Sequence, residues 1–302
     1  MSQQALLAAR FWGASFPAAK IFLSEAGPLS LLVLRHAIAG GLLLAMAAGS
    51  NGLVRVRRGD LGHFALHSVL LTVFHQGILC YGLARTTATN SGWLMATAPV
   101  FIALFAWLFL VERLRLRQWV GMAAGLTGSF FVVTQGHLDL GVFLTSGGLG
   151  GLLVLESAAA WGAYTVAGKG LLMRYPPIVV SAYGMAAGVA AAIPVWVAAG
   201  GTADLGRLTI RGWTGILYLG VCSTALAYVL FYRAMRKLPA GVAGAYMFLQ
   251  PLEATLLGRL LLGEPFTGPT IVGGLMILGG VYLVTWPSRY SLAARSKPEG
   301  AT

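Results

Sequence analysis

Apolar runs of about 18 to 24 residues recur along the whole chain and alternate with short polar connections. A stretch of about 20 apolar residues is what an α-helix needs to cross roughly 30 Å of hydrocarbon. The pattern therefore predicts an all-α polytopic membrane protein with ten transmembrane helices. The predicted helices cover about residues 5–24, 28–49, 63–84, 88–111, 116–134, 150–172, 177–200, 211–234, 239–262 and 268–287.

The composition agrees with lipid as part of the solvent. Of the 302 residues, 57% are hydrophobic and only 10% are charged, against about 25% charged in a typical soluble domain. The net charge of +12 comes mainly from basic residues in the short connections. We therefore expect a lipid bilayer, and no nucleic acid, as the partner of these charges.

The distribution of Lys and Arg predicts the orientation. With the N-terminus inside, fourteen of the 21 basic residues fall in cytoplasmic segments and only Arg85, Arg207, Arg211 and Arg259 fall in outer loops. Short cytoplasmic loops retain positive charge. Both termini are therefore predicted to lie in the cytoplasm.

The second half of the sequence repeats the first. Trp12-Gly13-Ala14 and Lys20 recur 149 residues later as Trp161-Gly162-Ala163 and Lys169. At an offset of 152, nine positions match, namely Ala88, Gly92, Met95, Pro99, Leu104, Leu108, Glu112, Gly121 and Gly128 with Ala240, Gly244, Met247, Pro251, Leu256, Leu260, Glu264, Gly273 and Gly280. Each unit holds five predicted helices, an odd number, so the second unit enters the membrane upside down.

These matches define the expected domains. Residues 1–134 form the first five-helix repeat, 135–149 a connecting loop, 150–287 the inverted second repeat and 288–302 a cytoplasmic tail. Inverted repeats of this kind place a binding site near the bilayer midplane, where the halves meet, and permit alternating access.

The stretch from Leu83-Ala84-Arg85-Thr86-Thr87-Ala88 through Ala98-Pro99-Val100 to Val111-Glu112-Arg113 and Gly121 resembles the latter part of an EamA domain of the drug/metabolite transporter superfamily. Leu249-Gln250-Pro251-Leu252 through Leu262-Gly263-Glu264 and Gly273 resembles the same pattern again. The Trp-Gly pairs at Trp12 and Trp161 fit the start of each domain. Only about the last fifteen residues lie outside the resemblance.

The resemblance implies a metabolite transporter of ten helices in the bacterial inner membrane, with an amino acid-like substrate. The aromatic residues near the expected cavity favour the branch that exports aromatic or large neutral amino acids. The alternatives are efflux of multiple drugs or quaternary ammonium compounds and, in a different class, a membrane-embedded enzyme. An enzyme of that kind needs a nucleophile with its base, paired aspartates or a metal triad, and the three aspartates all fall in loops. No cofactor and no metal site is expected.

Candidate substrate-binding residues are polar or aromatic side chains inside predicted helices. The polar set comprises His75, Gln76, Thr97 and Gln250, for which a hydrogen bond between helices is the alternative role. The aromatic set comprises Trp12, Tyr81, Trp93, Trp161, Tyr164 and Tyr246, for which anchoring at the membrane interface is the alternative. Trp93 and Tyr246 are favoured because they lie well inside their helices.

Prolines and lysines form a second group. Pro99 and Pro251 are expected to kink equivalent helices and open the cavity, with packing as the alternative role. Pro17 has no counterpart in the second half, so gating is expected to be asymmetric. Lys20 and Lys169 are expected at the pathway mouths, where each either extends to the lipid headgroups or attracts an anionic group. Arg35 has the same two alternatives.

Two further expectations concern carboxylates and glycines. Glu253 lies inside a helix but faces Phe101 in the repeat alignment, so no paired-acid proton relay is visible and movement down the substrate gradient is favoured. Glycines four apart, such as Gly121 and Gly125, predict close helix contacts. We expect the fifth and tenth helices to pack within their own repeats, and a monomer rather than a homodimer.

Overall fold

In the computed structural model, which describes residues 3–49, 52–110, 114–235 and 249–286, no residue forms a β-strand. The α-helices are Gln3–Gly13 (α1), Ser15–Leu23 (α2), Pro28–Gly49 (α3), Leu61–Val69 (α4), Ile78–Arg85 (α5), Ala88–Met95 (α6), Ala98–Leu110 (α7), Leu116–Thr134 (α8), Ser146–Leu172 (α9), Pro177–Ala198 (α10), Thr202–Leu205 (α11), Ile210–Leu217 (α12), Ala227–Met235 (α13), Leu249–Leu262 (α14) and Gly268–Thr285 (α15). Short 3₁₀ helices cover Arg58–Asp60 and Leu140–Leu144, and π-helical segments cover Leu70–Gly77 and Tyr218–Leu226.

Seven helical segments of the described chain are long and apolar enough to cross a membrane, so the protein is a multi-pass membrane protein. They are Pro28–Gly49, Arg58–Arg85, Ala88–Leu110, Ser146–Leu172, Pro177–Ala198, Ile210–Phe231 and Gly268–Thr285. The sequence predicted ten. Three predicted helices are not among the seven. The first is divided into α1 and α2, and the described part of α14 begins only at Leu249, so neither reaches the required length. The fifth, α8, has 19 residues but is less apolar than the seven.

Threonine side chains cap the N-termini of four helices. The side chains of Thr87, Thr145, Thr209 and Thr267 accept hydrogen bonds from the backbone N–H groups at the starts of α6, α9, α12 and α15. Each cap satisfies an amide that has no partner inside the helix. The four caps lie on the face predicted to be external.

Glycines bring the backbones of α8 and α15 into close contact. A Cβ atom added to Gly121 would lie 2.6 Å from the carbonyl oxygen of Gly280, and one added to Gly128 would lie 2.5 Å from that of Gly273. The reverse additions, at Gly280 and Gly273, meet Gly121 and Gly128 at 2.5 Å. The expectation that these glycines pack within their own halves was wrong. They join the two halves back to back, because only glycine lets the two backbones approach this closely.

A second reciprocal contact links the first helix of each half to the fourth helix of the other. A Cβ atom on Gly13 would lie 2.7 Å from Cβ of Glu253, and one on Gly162 would lie 2.9 Å from Cβ of Phe101. In addition, α3 packs against α10, its counterpart in the second half. The core therefore lies where the two halves meet.

Candidate functional site

Two helices are interrupted beside the centre of the molecule. α1 and α2 are separated at Ala14, and α6 and α7 at Ala96–Thr97. Pro17 and Pro99 follow these breaks, and since proline has no N–H, the carbonyls of Gly13 and Met95 lose their usual helical donors. In a membrane such irregular backbone is tolerated where it is buried in protein or lines a cavity.

The two π-helical segments lie at equivalent places in the two halves and bring polar side chains to the same centre. Leu70–Gly77 carries His75 and Gln76, and Tyr218–Leu226 carries Ser223 and Thr224. A π-helical turn widens the helix and is often found at functional sites.

A central cavity lies between these irregular segments. Its lining is apolar and aromatic with a few polar groups, and consists of Trp12, Ser15, Phe16, Arg35, His75, Gln76, Leu79, Leu83, Met95, Ala98, Trp161, Tyr228 and Gln250. Both halves contribute to the lining, which includes two pairs of repeat counterparts, Trp12 with Trp161 and Ala98 with Gln250.

Arg35 supplies the positive charge of the cavity. The residue is only 5% exposed, and its Nε donates to Thr224 Oγ1 at 2.7 Å while Nη2 donates to Ser223 Oγ at 3.1 Å. The ion pairs in the described part of the chain do not involve Arg35. A guanidinium has five N–H donors, so Arg35 retains donor capacity for an anionic ligand. Its counterpart 149 residues later is Gly184, so the charge is on one side of the cavity only.

Gln76 supplies an unpaired acceptor. His75 Nδ1 lies 3.1 Å from the carbonyl oxygen of Ser157, which can only accept, so Nδ1 carries the proton in the neutral ring. His75 Nε2 is then an acceptor for the amide nitrogen of Gln76 at 3.0 Å. This fixes the orientation of the amide and leaves Gln76 Oε1 buried without a partner in the described structure.

Aromatic rings form one wall of the cavity. The Tyr228 ring meets Trp12 and Trp161 edge-on, with centroids 5.9 Å away in both cases. The Trp161 ring also lies 4.9 Å from the His75 ring. Flat apolar surface with a polar tip suits an aromatic ligand that brings its own polar groups.

The structure separates the residues singled out in the sequence. Trp12, His75, Gln76, Trp161 and Gln250 line the cavity, and Pro251 follows Gln250 in α14. Tyr246 lies outside the described residues. Four others lie away from the lining, at Tyr81, Trp93, Thr97 and Tyr164.

Local contacts explain those four positions. Trp93 donates from Nε1 to Thr255 Oγ1 at 3.1 Å and packs on Gly274. Thr97 donates to the carbonyl of Leu94, and the Tyr164 ring lies 4.1 Å from that of His67. Tyr81 is exposed on a separate apolar groove of about 570 Å³ beside α10.

The two lysines have different surroundings. Lys20 Nζ donates to the carbonyls of Leu83 and Thr86, at 3.0 and 2.9 Å, at the end of α5. Lys169 is exposed near the end of α9. Next to Lys20, Glu264 accepts from the N–H groups of Ala88 and Thr89 at 2.7 and 2.9 Å. A cation and an anion thus complement the two helix dipoles that meet at this hairpin.

Two polar contacts, termed here the inner and outer clasps, join the halves at opposite ends. In the inner clasp, Asp60 forms an ion pair with Arg174 and accepts from the Tyr175 hydroxyl at 2.7 Å. In the outer clasp, Glu25 accepts from the hydroxyl and the N–H of Thr209 at 2.6 and 2.7 Å. These hydrogen bonds, the hydroxyl's first, hold the pKa of Glu25 below its ordinary value.

Sequence reasoning did not assign Ser15 and Phe16 to the site, and it placed Arg35 at a pathway mouth and not in the central cavity. The signal for Arg35 is that an arginine inside an apolar run is costly and usually marks a pathway. For Ser15 and Phe16 no signal was available, because hydrophobic helices that contact lipid and protein on all sides do not show which face is inward. Tyr228 belongs with the aromatic side chains inside predicted helices, for which a ligand contact and an interface anchor were both open.

Comparisons with known proteins identify the family and the fold. The sequence profile of the EamA-like transporter family matches residues 3–134 and 148–286. A protein of Streptantibioticus cattleyicolor named "Probable terminal-alkyne amino-acid exporter" is 31% identical over 90% of this chain and 89% of its own length. An uncharacterized transporter of Archaeoglobus fulgidus is 28% identical over 91% and 93% of the two chains. A solved crystal structure of 20% identity superposes on 99% of this chain and 100% of that one with a TM-score of 0.64, which shows a common fold.

Proposed function

Because the chain belongs to the EamA-like transporter family, we propose that it exports aromatic or other large neutral amino acids across the bacterial inner membrane by alternating access. The observation that carries the proposal is a buried arginine with no carboxylate partner in the described structure, placed on an aromatic cavity between the two halves. The relative named as an amino-acid exporter supports the same substrate class.

The proposed architecture is ten helices in two inverted repeats, with residues 1–134 and 150–287 as the two units. Support comes from contacts that occur twice with the roles of the halves exchanged. Gly121 meets Gly280 and Gly128 meets Gly273, so each glycine contacts the repeat counterpart of the other one and the two helices run antiparallel. The two separate stretches matched by the family profile have nearly the same limits.

Arg35 suits the carboxylate of an amino acid. Charge-assisted hydrogen bonds from a guanidinium to a carboxylate are short, strong and often bidentate, and the hydroxyls of Ser223 and Thr224 hold the side chain from behind. A permanently cationic drug would be repelled by the same group.

The rest of the cavity suits the remainder of such a molecule. Gln76 Oε1 is an acceptor without a partner and can receive an N–H of the substrate ammonium. The rings of Trp12, Trp161 and Tyr228 offer stacking surface for the side chain. A nucleotide sugar would need several more cationic groups around its phosphates.

We further propose a monomer with both termini in the cytoplasm. The glycine faces that could have formed a dimer contact are used between α8 and α15 within one chain. The excess of basic residues in the loops assigned to the cytoplasm supports the orientation.

The test is exchange of labelled Phe by purified protein in liposomes loaded with unlabelled Phe. Phenylethylamine, which lacks the carboxylate, is expected to compete at least about ten-fold more weakly than Phe, because a hydrogen bond to a charged group contributes about 1.5–3 kcal/mol. In Arg35→Gln this preference should disappear and exchange of Phe should fall by a similar factor.

Arg85→Gln is the matched control. Arg85 is an exposed arginine whose guanidinium donates to the carbonyl of Tyr81, so its removal should leave exchange unchanged. Equal competition by phenylethylamine in the wild type would contradict the proposal. Movement of quaternary ammonium compounds in place of amino acids would favour the multidrug alternative.

A further inference from the structure

An ion pair lies beside the cavity and takes no part in its lining. Arg10 Nε in α1 lies 3.1 Å from Oε1 of Glu253 in α14. Glu253 follows the cavity residue Gln250 by one helical turn, and Arg10 precedes Trp12 by two residues. The second carboxylate oxygen, Oε2, is buried and has no hydrogen-bond partner in the described structure.

The other half of the molecule makes the same helix contact without any charge. Gly13 packs on Glu253, and its counterpart Gly162 packs on Phe101, which is the counterpart of Glu253. The counterpart of Arg10, at the same offset as Gly13 and Gly162, is Ala159. The helix contact therefore forms equally well with an apolar pair, so packing alone does not require the ion pair. A carboxylate with one buried and unpaired oxygen is unfavourable compared with apolar residues.

We propose that Glu253 is a proton-binding site through which the protein couples amino-acid export to proton entry, an inference that rests on the proposed export function. A proton from the external side binds to Oε2 and forms an O–H bond. The carboxyl is then neutral and no longer attracts Arg10. Release of the proton to the cytoplasmic side restores the ion pair between α1 and α14.

The surroundings favour a proton over a metal cation. The Arg10 guanidinium repels any cation held by the same carboxylate, and the described residues contain no cluster of three His, Cys, Asp or Glu. Among elements packed on α14, α6 has no ionisable side chain, and Lys20 of α2 is bonded to the carbonyls of Leu83 and Thr86. The hydroxyl of Tyr218 is neutral and donates to the carbonyl of Phe11 at 3.0 Å.

Proton entry has a mechanical consequence at α1. The helix is interrupted at Ala14, directly beside Gly13. While the ion pair holds, the segment before the break is fixed to α14. Once Glu253 is neutral, only the packing of Gly13 on α14 remains, so the segment before the break is held less strongly than in the ion-paired state.

The experiment uses full-length protein in liposomes with equal labelled Phe on both sides, an acidic lumen and the membrane potential set to zero with K⁺ and valinomycin. In one-to-one exchange, protons leave the lumen as Phe enters, so one pH unit supports accumulation up to about ten-fold. Wild-type protein should accumulate Phe. Glu253→Gln should retain Phe exchange without a gradient and lose accumulation.

Glu156→Gln is the matched control. Glu156 is the other carboxylate inside a predicted helix, is exposed on α9, and its variant should accumulate Phe like the wild type. Exchange without accumulation in the wild type, or accumulation by Glu253→Gln, overturns the proton site and leaves the export function intact.

A readout independent of substrate separates the two proposals. If no amino acid is exchanged by the wild type, the export function fails, and an infrared titration of the purified protein then decides the site. A protonated-carboxyl band that appears on acidification and is missing from Glu253→Gln supports proton binding. Identical bands in the two proteins overturn it.

Discussion

Trp93 and Trp161 lie in similar apolar sequence but have different neighbours. Trp161 lines the cavity and contacts the rings of Tyr228 and His75. Trp93 is 3% exposed and fills the space above Gly274 between α6 and α15. One ring is therefore available to a ligand, and the other contributes to packing.

This difference predicts opposite substitution profiles. In Trp161→Ala, exchange of Phe and Trp should fall about 2- to 12-fold more than exchange of Thr, because an aromatic contact contributes about 0.5–1.5 kcal/mol. In Trp93→Ala, loss of a buried ring should cost about 3–5 kcal/mol of stability and lower all exchange equally. Exchange kinetics for the three amino acids, together with detergent melting curves, measure both effects.

Two outcomes would contradict these predictions. A Trp161→Ala protein with an unchanged ratio of Phe to Thr exchange would remove this ring from the binding surface. Selective loss of Phe exchange in Trp93→Ala would mean that the cavity extends to α15 in another conformation.

Sequence reasoning recovered single site residues only in part. A polar group in an apolar run can be recognised without a structure, which is why His75, Gln76 and Gln250 were candidates. The free acceptor on Gln76 could not be recognised, since it depends on a carbonyl of α9 that fixes the ring of His75. Ser223 and Thr224 can be recognised in the same way as polar groups within an apolar helix, but their hydrogen bonds with Arg35 needed the structure.

At the scale of helices, the contact between α8 and α15 depends on glycines spaced seven residues apart, two turns of helix. Gly121 and Gly128 face Gly280 and Gly273 in reverse order, so the two helices are antiparallel. Gly279 lies next in sequence to Gly280 but is exposed, and a Cβ atom there would meet nothing within 4 Å.

Adjacent glycines therefore provide a prediction with its own control. Gly280→Ala places a methyl group 2.5 Å from the carbonyl oxygen of Gly121, and overpacking of this kind costs about 1–3 kcal/mol. Gly279→Ala removes a flexible residue from an exposed helix position and should be neutral or gain up to about 1 kcal/mol. Melting temperatures of the purified variants in one detergent test this order, and a Gly280→Ala protein as stable as the wild type contradicts the contact.

The irregular helices could not have been predicted in full. Pro17 and Pro99 point to the two breaks, because a proline removes a backbone donor, but Pro194 lies inside the uninterrupted α10, so a proline alone does not predict a break. The π-helical segments at Leu70–Gly77 and Tyr218–Leu226 contain no such residue. Their sequences do not differ from those of ordinary apolar helices. The wider π-helical turns depend on packing against neighbouring helices and cannot be predicted from the sequence.

For the whole molecule, the proposed topology predicts which loops face the cytoplasm. In a Cys80→Ala, Cys222→Ala background, single cysteines at residues 56, 115 and 235 should resist an impermeant thiol reagent in intact cells. Cysteines at residues 140 and 205 should react. The reason is the fourteen-to-four bias of basic residues towards the first set of loops. The reverse labelling pattern would falsify the orientation and, with it, the direction of export.

The overall architecture was more accessible to sequence reasoning than the way its parts fit together. Apolar length and the repeated Trp-Gly and proline positions indicated a helical membrane protein with related halves. The predicted partner of the fifth helix was wrong, because a stripe of glycines predicts a close contact without identifying the other helix. Reciprocal contacts such as Gly13 with Glu253 and Gly162 with Phe101 needed the structure.

The two clasps bear on the relative energies of the two conformations that the proposed alternating access requires. In a molecule with two identical halves, the conformations open to the inside and to the outside would be related by symmetry and would have equal energy. The inner clasp combines the ion pair of Asp60 and Arg174 with a hydrogen bond from the Tyr175 hydroxyl. In the outer clasp, Glu25 accepts two hydrogen bonds from Thr209. Side chains at the two ends of the molecule therefore make the two proposed conformations unequal in energy, although the helices of the two halves correspond.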